Sequence, residues 1–284
     1  MRTLSVPEPR QAGSGSPAAD VAGADVAGAD VAGADVSAAE VAAARLAVVL
    51  TAWRRPEYLD RVLRTWARAI GVQSLRSFTV ALEPSPRCQE QLAVIAAVNA
   101  EFGVSIEPVV NQRRLGVLVN PVVAGGRQLR ADPGIEFLVM AEEDVLVSDD
   151  VLCLMSWTSR RLAGLRRVLC VCADSRAPAG ADPAEVVLGR TFCSLVWGTW
   201  RDRWLEVIEP TWDGDYSRGG WDLNLRNHVL AERRMLAAWP AASRSRHIGE
   251  AQGVHATWWN FGDWYAPTFA ERRGVTAYRL AGLP

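Results

Sequence analysis

The stretch GIEFLVMAEEDVLVSDDVL (residues 134–152) decides the fold class of this chain. Its apolar run at 137–140 predicts a buried strand, and that strand ends in three acids, Glu142, Glu143 and Asp144. Like charges repel, and burial raises the energy of every ionised carboxylate. A divalent cation would neutralise such a cluster, because magnesium and manganese prefer oxygen ligands. The segment therefore predicts a cation-binding strand end, with a solvated turn that carries surface acids as the alternative.

The chain before this segment alternates apolar runs with amphipathic stretches. The run RLAVVLTAW (45–53) predicts a strand covered on both faces, and further strands are predicted at 78–83, 104–110 and 135–141. Apolar residues at helical spacing between these runs predict helices. Alternating strands and helices predict an α/β fold with a mostly parallel sheet, in which a ligand binds beyond the carboxyl ends of the strands.

Two further regions differ in composition from this alternating part. Residues 17–37 repeat ADVAG with a period of five, which fits neither a helix nor a strand. We therefore predict a disordered, low-complexity leader over residues 1–40 and one folded domain over residues 41–284. Nine of the twelve tryptophans fall at positions 197–264, so the later part of that domain is much richer in tryptophan than the first part.

Composition excludes some classes of protein. The formal net charge of -1 over 284 residues argues against a nucleic-acid-binding surface, which would be distinctly basic. No apolar run reaches the length of a membrane span, and the first residues, MRTLSVPEPRQ, lack the apolar centre of a secretory signal. The five cysteines show no metal-type pair and are expected to be reduced thiols. These features predict a cytoplasmic protein.

The phosphate-binding motifs of common nucleotide-binding proteins are absent. No GxGxxG follows the first strand, and no GxxxxGK[ST] occurs, so the dinucleotide-binding and P-loop interpretations lose their main support. The segments TAWRRP and NQRRLGVLVN instead place Arg54, Arg55, Arg113 and Arg114 at the expected carboxyl edge. Guanidinium groups suit bidentate contacts with a diphosphate, and ordinary surface charge is the alternative.

Five segments in a fixed order carry a family resemblance. They are VVLTAWRRPEYLDRVLRTW, NQRRLGVLVN, FLVMAEEDVLVSDDVL, WGTWRDRW and GGWDLNLRNHVL. Over residues 46–260 the set resembles inverting glycosyltransferases of the GT-A fold, of the bacterial family 2 type and the N-acetylglucosaminyltransferase I type. The resemblance implies a Rossmann-like fold with a nucleotide-sugar half (46–145) and an acceptor half (146–284).

The resemblance also implies a donor site. It makes Asp144 the direct ligand of a manganese or magnesium ion, places Glu142 near the ribose and places Glu83 at the base. A late histidine of the family completes the metal shell, and His255 is the candidate here, with a packed or surface histidine as the alternative. This chain has Glu where the family has Asp at positions 83, 142 and 143. The expected donor-binding residues are Thr51, Arg54, Glu83, Arg114, Glu142 and Glu143.

The catalytic residue implied by the resemblance is Asp222. An inverting transfer needs a carboxylate that deprotonates the acceptor hydroxyl, and in the family an acid after a Gly/Trp turn does this. Asp222 follows such a turn in GGWDLNL, with a simple first-turn helix acid as the alternative. Leu223 stands where the family has a second acid.

Tryptophans near the expected acceptor side give two further expectations. Trp197 and Trp221 each adjoin a glycine and would form an apolar wall for a sugar ring. The i, i+3, i+7 spacing of Trp197, Trp200 and Trp204 predicts one face of a helix.

These expectations define a metal-dependent inverting glycosyltransferase. It would move a sugar from a nucleotide diphosphate donor, with UDP favoured, to a hydroxyl acceptor in natural-product or surface-glycan biosynthesis. One alternative, a sugar-phosphate nucleotidyltransferase, needs a Gly-rich basic loop that TAWRRPEY does not supply. The other, a catalytically inactive nucleotide-sugar-binding protein, is opposed by the presence of both Asp144 and Asp222.

Overall fold

The fold consists of one large sheet with helices on both faces and a short two-stranded ribbon. The computed structural model describes residues 36–175, 177–178, 180–249 and 268–281. The strands of the large sheet are β1 Leu46–Ala52, β2 Ser77–Leu82, β3 Glu107–Val110, β4 Phe137–Glu142, β6 Val168–Cys172, β7 Glu185–Gly189, β8 Val196–Trp200, β9 Leu236–Pro240 and β11 Arg279–Leu280. The ribbon pairs β5 Val145–Val147 with β10 Ser245–His247.

Helices connect most of these strands. They are α1 Ala38–Ala43, α2 Pro56–Ala67, α3 Cys88–Phe102, α4 Asn120–Ala131, α5 Val151–Arg161, α6 Arg201–Arg203 and α7 Trp221–Asn224. Helices α6 and α7 each continue as a π-helical turn, Trp204–Ile208 and Leu225–Leu230. None of the helices within the described ranges has the length and apolar character needed to cross a membrane.

The strand order of the large sheet is β11-β7-β9-β6-β8-β4-β1-β2-β3. Strands β4, β1, β2 and β3 are parallel neighbours, and β8 joins β4 to β6 by antiparallel pairing on both sides. The predicted α/β fold with a mostly parallel sheet is therefore confirmed. The β1–β4 register pairs Thr51 with Glu142, so the end of the first strand lies directly beside the acidic triplet.

The continuous apolar runs follow from burial on both faces of the sheet. In β1, Val48 and Leu50 pack in the core on one face, whereas Ala47 and Val49 pack in the core on the other. Successive side chains of a strand point to opposite faces, so a sheet covered on both sides needs apolar residues at every position.

The prediction that Trp197, Trp200 and Trp204 share one helix face is wrong. Trp197 and Trp200 lie in β8, and the helical segment begins only at Arg201. Three residues along a strand reverse the side-chain direction. Accordingly, Trp197 packs in the core on one face of the sheet and Trp200 in the core on the other.

The folded part begins before residue 41. Val36 and Val41 are buried, and the N–H of Val36 donates to the carbonyl of Thr276. A capping box of Ser37 and Glu40 starts α1. The expected boundary at residue 40 therefore falls inside a packed helix, and the remainder of the predicted leader lies outside the described residues.

A test of this packing is offered by Gly198 in β8. A Cβ there would lie 2.2 Å from Cε1 of Phe137, inside the core. We expect Gly198→Ala to lower the free energy of unfolding by about 1–3 kcal/mol through overpacking. Gly164→Ala is the matched control, because a Cβ at Gly164 meets no atom within 4 Å. Thermal melts of both variants measure the difference, and equal melting temperatures would contradict the packing of β8 on β4.

Candidate functional site

The acidic triplet lies at the junction of the large sheet and the ribbon. Glu142 is the last residue of β4, and Glu143 and Asp144 form the turn into β5. Because β5 pairs antiparallel with β10, with Val145 opposite His247, the end of β10 lies beside this turn. The topology thus brings residues separated by about a hundred positions in the sequence into one site.

Glu143 is held by groups from the loop between β1 and α2 and from α3. Its carboxylate accepts hydrogen bonds from Nε of Arg55 at 2.7 Å and from the backbone N–H of Trp53 at 2.6 Å. Nε2 of Gln91 lies 3.4 Å away. Burial raises the pKa of Glu143 to about 7, against the opposing effect of Arg55.

The two carboxylate oxygens of Asp144 differ in their contacts with the described residues. Oδ2 lies 2.9 Å from Nη2 of Arg55 and 3.4 Å from Nε2 of His247. Although burial opposes them, His247 and Arg55 hold the pKa of Asp144 below its usual value. Oδ1 is buried and has no hydrogen-bond partner in the described part of the chain. A Cβ at Gly249 would lie 2.5 Å from Oδ2, so only glycine leaves room there.

Glu142 connects the acidic cluster to the Trp-rich half. Burial raises the pKa of Glu142 well above its usual range, and the charges of Asp144 and Asp222 add to this effect. Asp222 therefore lies close enough to Glu142 to act on it electrostatically. The structure brings the predicted catalytic residue and the predicted metal ligand into one acidic site, although they lie 78 positions apart in the sequence.

The loop before Asp222 is held in shape by Asp213. Its carboxylate accepts from the backbone N–H groups of Arg218 at 2.7 Å and Gly220 at 3.1 Å, among others. Gly219 and Gly220 have φ values of +89° and +93°, a backbone region that favours glycine. This loop therefore sets the direction in which α7 begins, and with it the position of Asp222 in the first helical turn.

Two arginine side chains stack on the ring of Trp53, which follows β1 at the carboxyl edge of the sheet. The guanidinium carbons of Arg54 and Arg114 each lie 3.8 Å from the centre of its ring. Two groups at that distance cannot share one face of the ring, so they occupy opposite faces. Both arginines are exposed, as is Arg113. The predicted donor-binding residues Arg54 and Arg114 are thus brought together through Trp53.

Glu83 holds the loop that carries Arg114. It is only 3% exposed, and its carboxylate accepts from the N–H of Leu115 at 2.7 Å and of Gly116 at 3.3 Å. Nδ2 of Asn111 lies 3.4 Å from its other oxygen. The contacts described for Glu83 therefore fasten the β3–α4 loop at the sheet edge, and its predicted contact with the base stays a prediction.

Four tryptophans, one of which precedes Asp222 in α7, pack their rings against one another. Trp212 and Trp221 are stacked at 4.6 Å between ring centres, and Trp197 stacks on Trp204 at 6.1 Å. Trp197 is 1% exposed and Trp221 is 4% exposed, so both rings predicted to face an acceptor are buried in this stack. Nε1 of Trp212 donates to the carbonyl of Leu118, which ties the stack to the β3–α4 loop.

The sequence-based assignment of residues to this site was incomplete. His255 lies outside the described residues, whereas His247 lies beside Asp144. The sequence patterns do not single out Trp53 or His247, and they mark Arg55 only as one of four arginines at the sheet edge. The position of Trp53 within TAWRRP was a usable signal, since the segment follows a buried strand. Nothing in the local sequence of His247 indicates its pairing with a residue about a hundred positions earlier.

The residues present are compatible with a divalent cation. Within the described ranges, no group of three or more His, Cys, Asp or Glu side chains is arranged to hold a metal ion. Magnesium, however, is commonly bound by one or two carboxylates together with substrate phosphates and water. Oδ1 of Asp144, which is buried and has no partner among the described residues, and the adjacent ring of His247 fit that incomplete shell.

Comparison with solved structures identifies the fold. The mannosyltransferase PcManGT from Pyrobaculum calidifontis in complex with GDP-Man and Mn2+ is 16% identical over 75% of this chain and 59% of its own, with a TM-score of 0.50. S. aureus TarS 1–349 in complex with UDP-GlcNAc is 11% identical over 76% of this chain and 61% of its own, with a TM-score of 0.52. GalNAc-T7 with UDP, GalNAc and Mn2+ is 13% identical over 72% of this chain and 43% of its own, with a TM-score of 0.51.

These neighbours place the chain in the GT-A glycosyltransferase fold class. The chain spans less than two thirds of the length of each of them. No protein-family model matches the chain, and no curated protein matches it.

Proposed function

We propose that this protein is a glycosyltransferase that moves a sugar from a nucleoside diphosphate donor to a hydroxyl group of an acceptor. One observation carries the proposal. Beyond the carboxyl end of β4, one buried oxygen of Asp144 has no partner within the described part of the chain, and the charge of Asp222 acts on the neighbouring Glu142. Asp144 would bind a metal together with the diphosphate, and Asp222 would accept a hydrogen bond from the acceptor hydroxyl.

On the donor side, Asp144 and His247 would hold a manganese or magnesium ion together with the diphosphate. Such a cation stabilises the negative charge that develops on a departing diphosphate. Arg54 and Arg114 are exposed at the same edge, where their guanidinium groups suit the phosphates. UDP is the favoured nucleotide, as in the TarS and GalNAc-T7 complexes.

On the acceptor side, Asp222 would act as the general base. A single carboxylate that removes the proton of the attacking hydroxyl supports direct displacement at the anomeric carbon, and hence inversion. The loop held by Asp213 sets the start of α7, which carries Asp222, and the neighbouring Trp221 is stacked on Trp212. The setting we propose is cytoplasmic synthesis of a natural product or a surface glycan.

A donor screen tests this function against its alternatives. The purified chain is incubated with UDP- and GDP-sugars, with Mn2+ or with EDTA, and released nucleoside diphosphate is measured. We expect release from one class of donor in Mn2+. Exchange of pyrophosphate into a nucleotide sugar would instead indicate a nucleotidyltransferase. Binding of donor without release, with or without a panel of sugar acceptors, would indicate an inactive binding protein.

A further inference from the structure

The acidic site brings several carboxyl groups together around one guanidinium group. The carboxylates of Asp144, Asp222 and Glu143 all raise the pKa of Glu142, and Asp144 also raises the pKa of Glu143. Among the described residues, Arg55 is the arginine that pairs directly with Glu143 and Asp144, and its side chain is 21% exposed. Its position therefore determines how the cluster is neutralised before any ligand arrives.

The guanidinium group of Arg55 bridges two of these acids. Nε lies 2.7 Å from Oε1 of Glu143, and Nη2 lies 2.9 Å from Oδ2 of Asp144. Two features restrict the position of Arg55. Its backbone is followed directly by Pro56, the first residue of α2, and its guanidinium lies 5.4 Å from the ring centre of Tyr58. Arg55 thus occupies one oxygen of the carboxylate that would also bind a metal.

We infer that Arg55 is a resident counter-cation that weakens binding of a divalent metal alone and makes metal binding depend on the diphosphate. The inference rests on the proposed function, since it concerns the same site. A divalent cation at Asp144 would stand close to a fixed positive charge, and like charges repel strongly in a partly buried site. A nucleoside diphosphate adds negative charge beside both cations and removes that obstacle.

This arrangement predicts reciprocal coupling between metal and nucleotide. If the diphosphate raises the affinity of the site for the metal, the metal raises the affinity for the diphosphate by the same factor. Part of that factor should come from Arg55, because it is the charge that the diphosphate offsets. A purely structural role for Arg55, in which it positions Glu143 and Asp144 for the metal, predicts the opposite effect of its removal.

The test measures Mn2+ binding by electron paramagnetic resonance, which follows free Mn2+ and needs no turnover. The wild-type protein is compared with Arg55→Gln, without nucleotide and with saturating UDP. We expect Arg55→Gln to bind Mn2+ alone about tenfold more tightly than the wild type. UDP should then increase its Mn2+ affinity by a smaller factor than in the wild type.

Two control variants separate charge from other effects. Arg55→Lys keeps the positive charge and should bind Mn2+ alone more weakly than Arg55→Gln, within about threefold of the wild type. Arg64→Gln makes the same change in net charge at a surface pair with Asp60 and Glu101 and should leave Mn2+ binding unchanged. Should Arg55→Gln unfold without metal, Mn2+ is expected to restore its far-ultraviolet circular dichroism.

The outcomes are distinguishable. Equal or weaker Mn2+ binding by Arg55→Gln, failure of Mn2+ to refold it, or absence of Mn2+ binding in every form overturns the inference. If Arg55→Gln shows the expected tightening but no nucleotide sugar is turned over, the inference about the cation site stands and the proposed transferase activity fails.

Discussion

Replacement of Asp222 by Asn is expected to slow sugar transfer at least about 100-fold while donor affinity stays near the wild-type value. The amide cannot accept the proton of the attacking hydroxyl, but it has nearly the size of the carboxylate. Asp222 lies in the first turn of α7, and Gly220 rather than Asp222 occupies the N-cap, so the substitution should leave the helix start intact. Single-turnover kinetics and donor titrations measure the two quantities separately.

A matched control for Asp222 lies in the preceding loop. Asp215 is exposed there, and its carboxylate accepts from the N–H of Ser217. Asp215→Asn should transfer sugar at nearly the wild-type rate. Asp213 is a poor alternative base because its oxygens already accept hydrogen bonds from Arg218, Gly220 and the hydroxyl of Ser217. Near-normal activity of Asp222→Asn, or a product that keeps the anomeric configuration of the donor, would remove Asp222 from this role.

Replacement of Asp144 by Asn should lower donor turnover by about 100- to 1,000-fold, the cost typical of losing one group that stabilises charge in the transition state. The buried Oδ1 of Asp144 is the oxygen available to a cation, and an amide there is a neutral and weaker ligand. The loss should not be recovered by raising the concentration of Mn2+. Steady-state release of nucleoside diphosphate measures the effect.

The control for Asp144 is an acid with ordinary surface surroundings. Asp60 pairs with Arg64 on α2, and Asp60→Asn should change turnover little, since exposed ion pairs contribute about 0–1 kcal/mol. A variant of Asp144 that keeps both its turnover and its stimulation by Mn2+ would show that the cation, if one is used, binds elsewhere.

The parallel part of the sheet could be predicted from the sequence because its signals are local. Strand β1 is a buried apolar run, and the predicted strand at 78–83 differs from the observed β2 by one residue at each end. Parallel strands place their carboxyl ends at one edge, so the acids after β4 and the arginines after β1 were expected to meet. The structure places Arg55 on Glu143 and Asp144 at that edge.

The remaining part of the site depends on pairings that no local pattern encodes. His247 reaches Asp144 only because β10 pairs with β5. Trp197 and Trp200 fit a helical spacing, but antiparallel pairing with β4 makes their segment a strand. Burial of Trp197 and Trp221 likewise follows from the stack formed around them. Tertiary contacts of this kind override short-range periodicity.

Calorimetric titration of UDP and GDP into the wild-type protein, in Mn2+ and in EDTA, tests most directly whether the end of β4 is a donor site. Among the described residues, Oδ1 of Asp144 has no hydrogen-bond partner, and the proposed function assigns that oxygen to a metal that binds together with a diphosphate. We expect one of the nucleotides to bind at least about tenfold more tightly in Mn2+ than in EDTA, with the difference lost in Asp144→Asn. Binding that is equally tight in both conditions, or no binding of either nucleotide, would contradict the account.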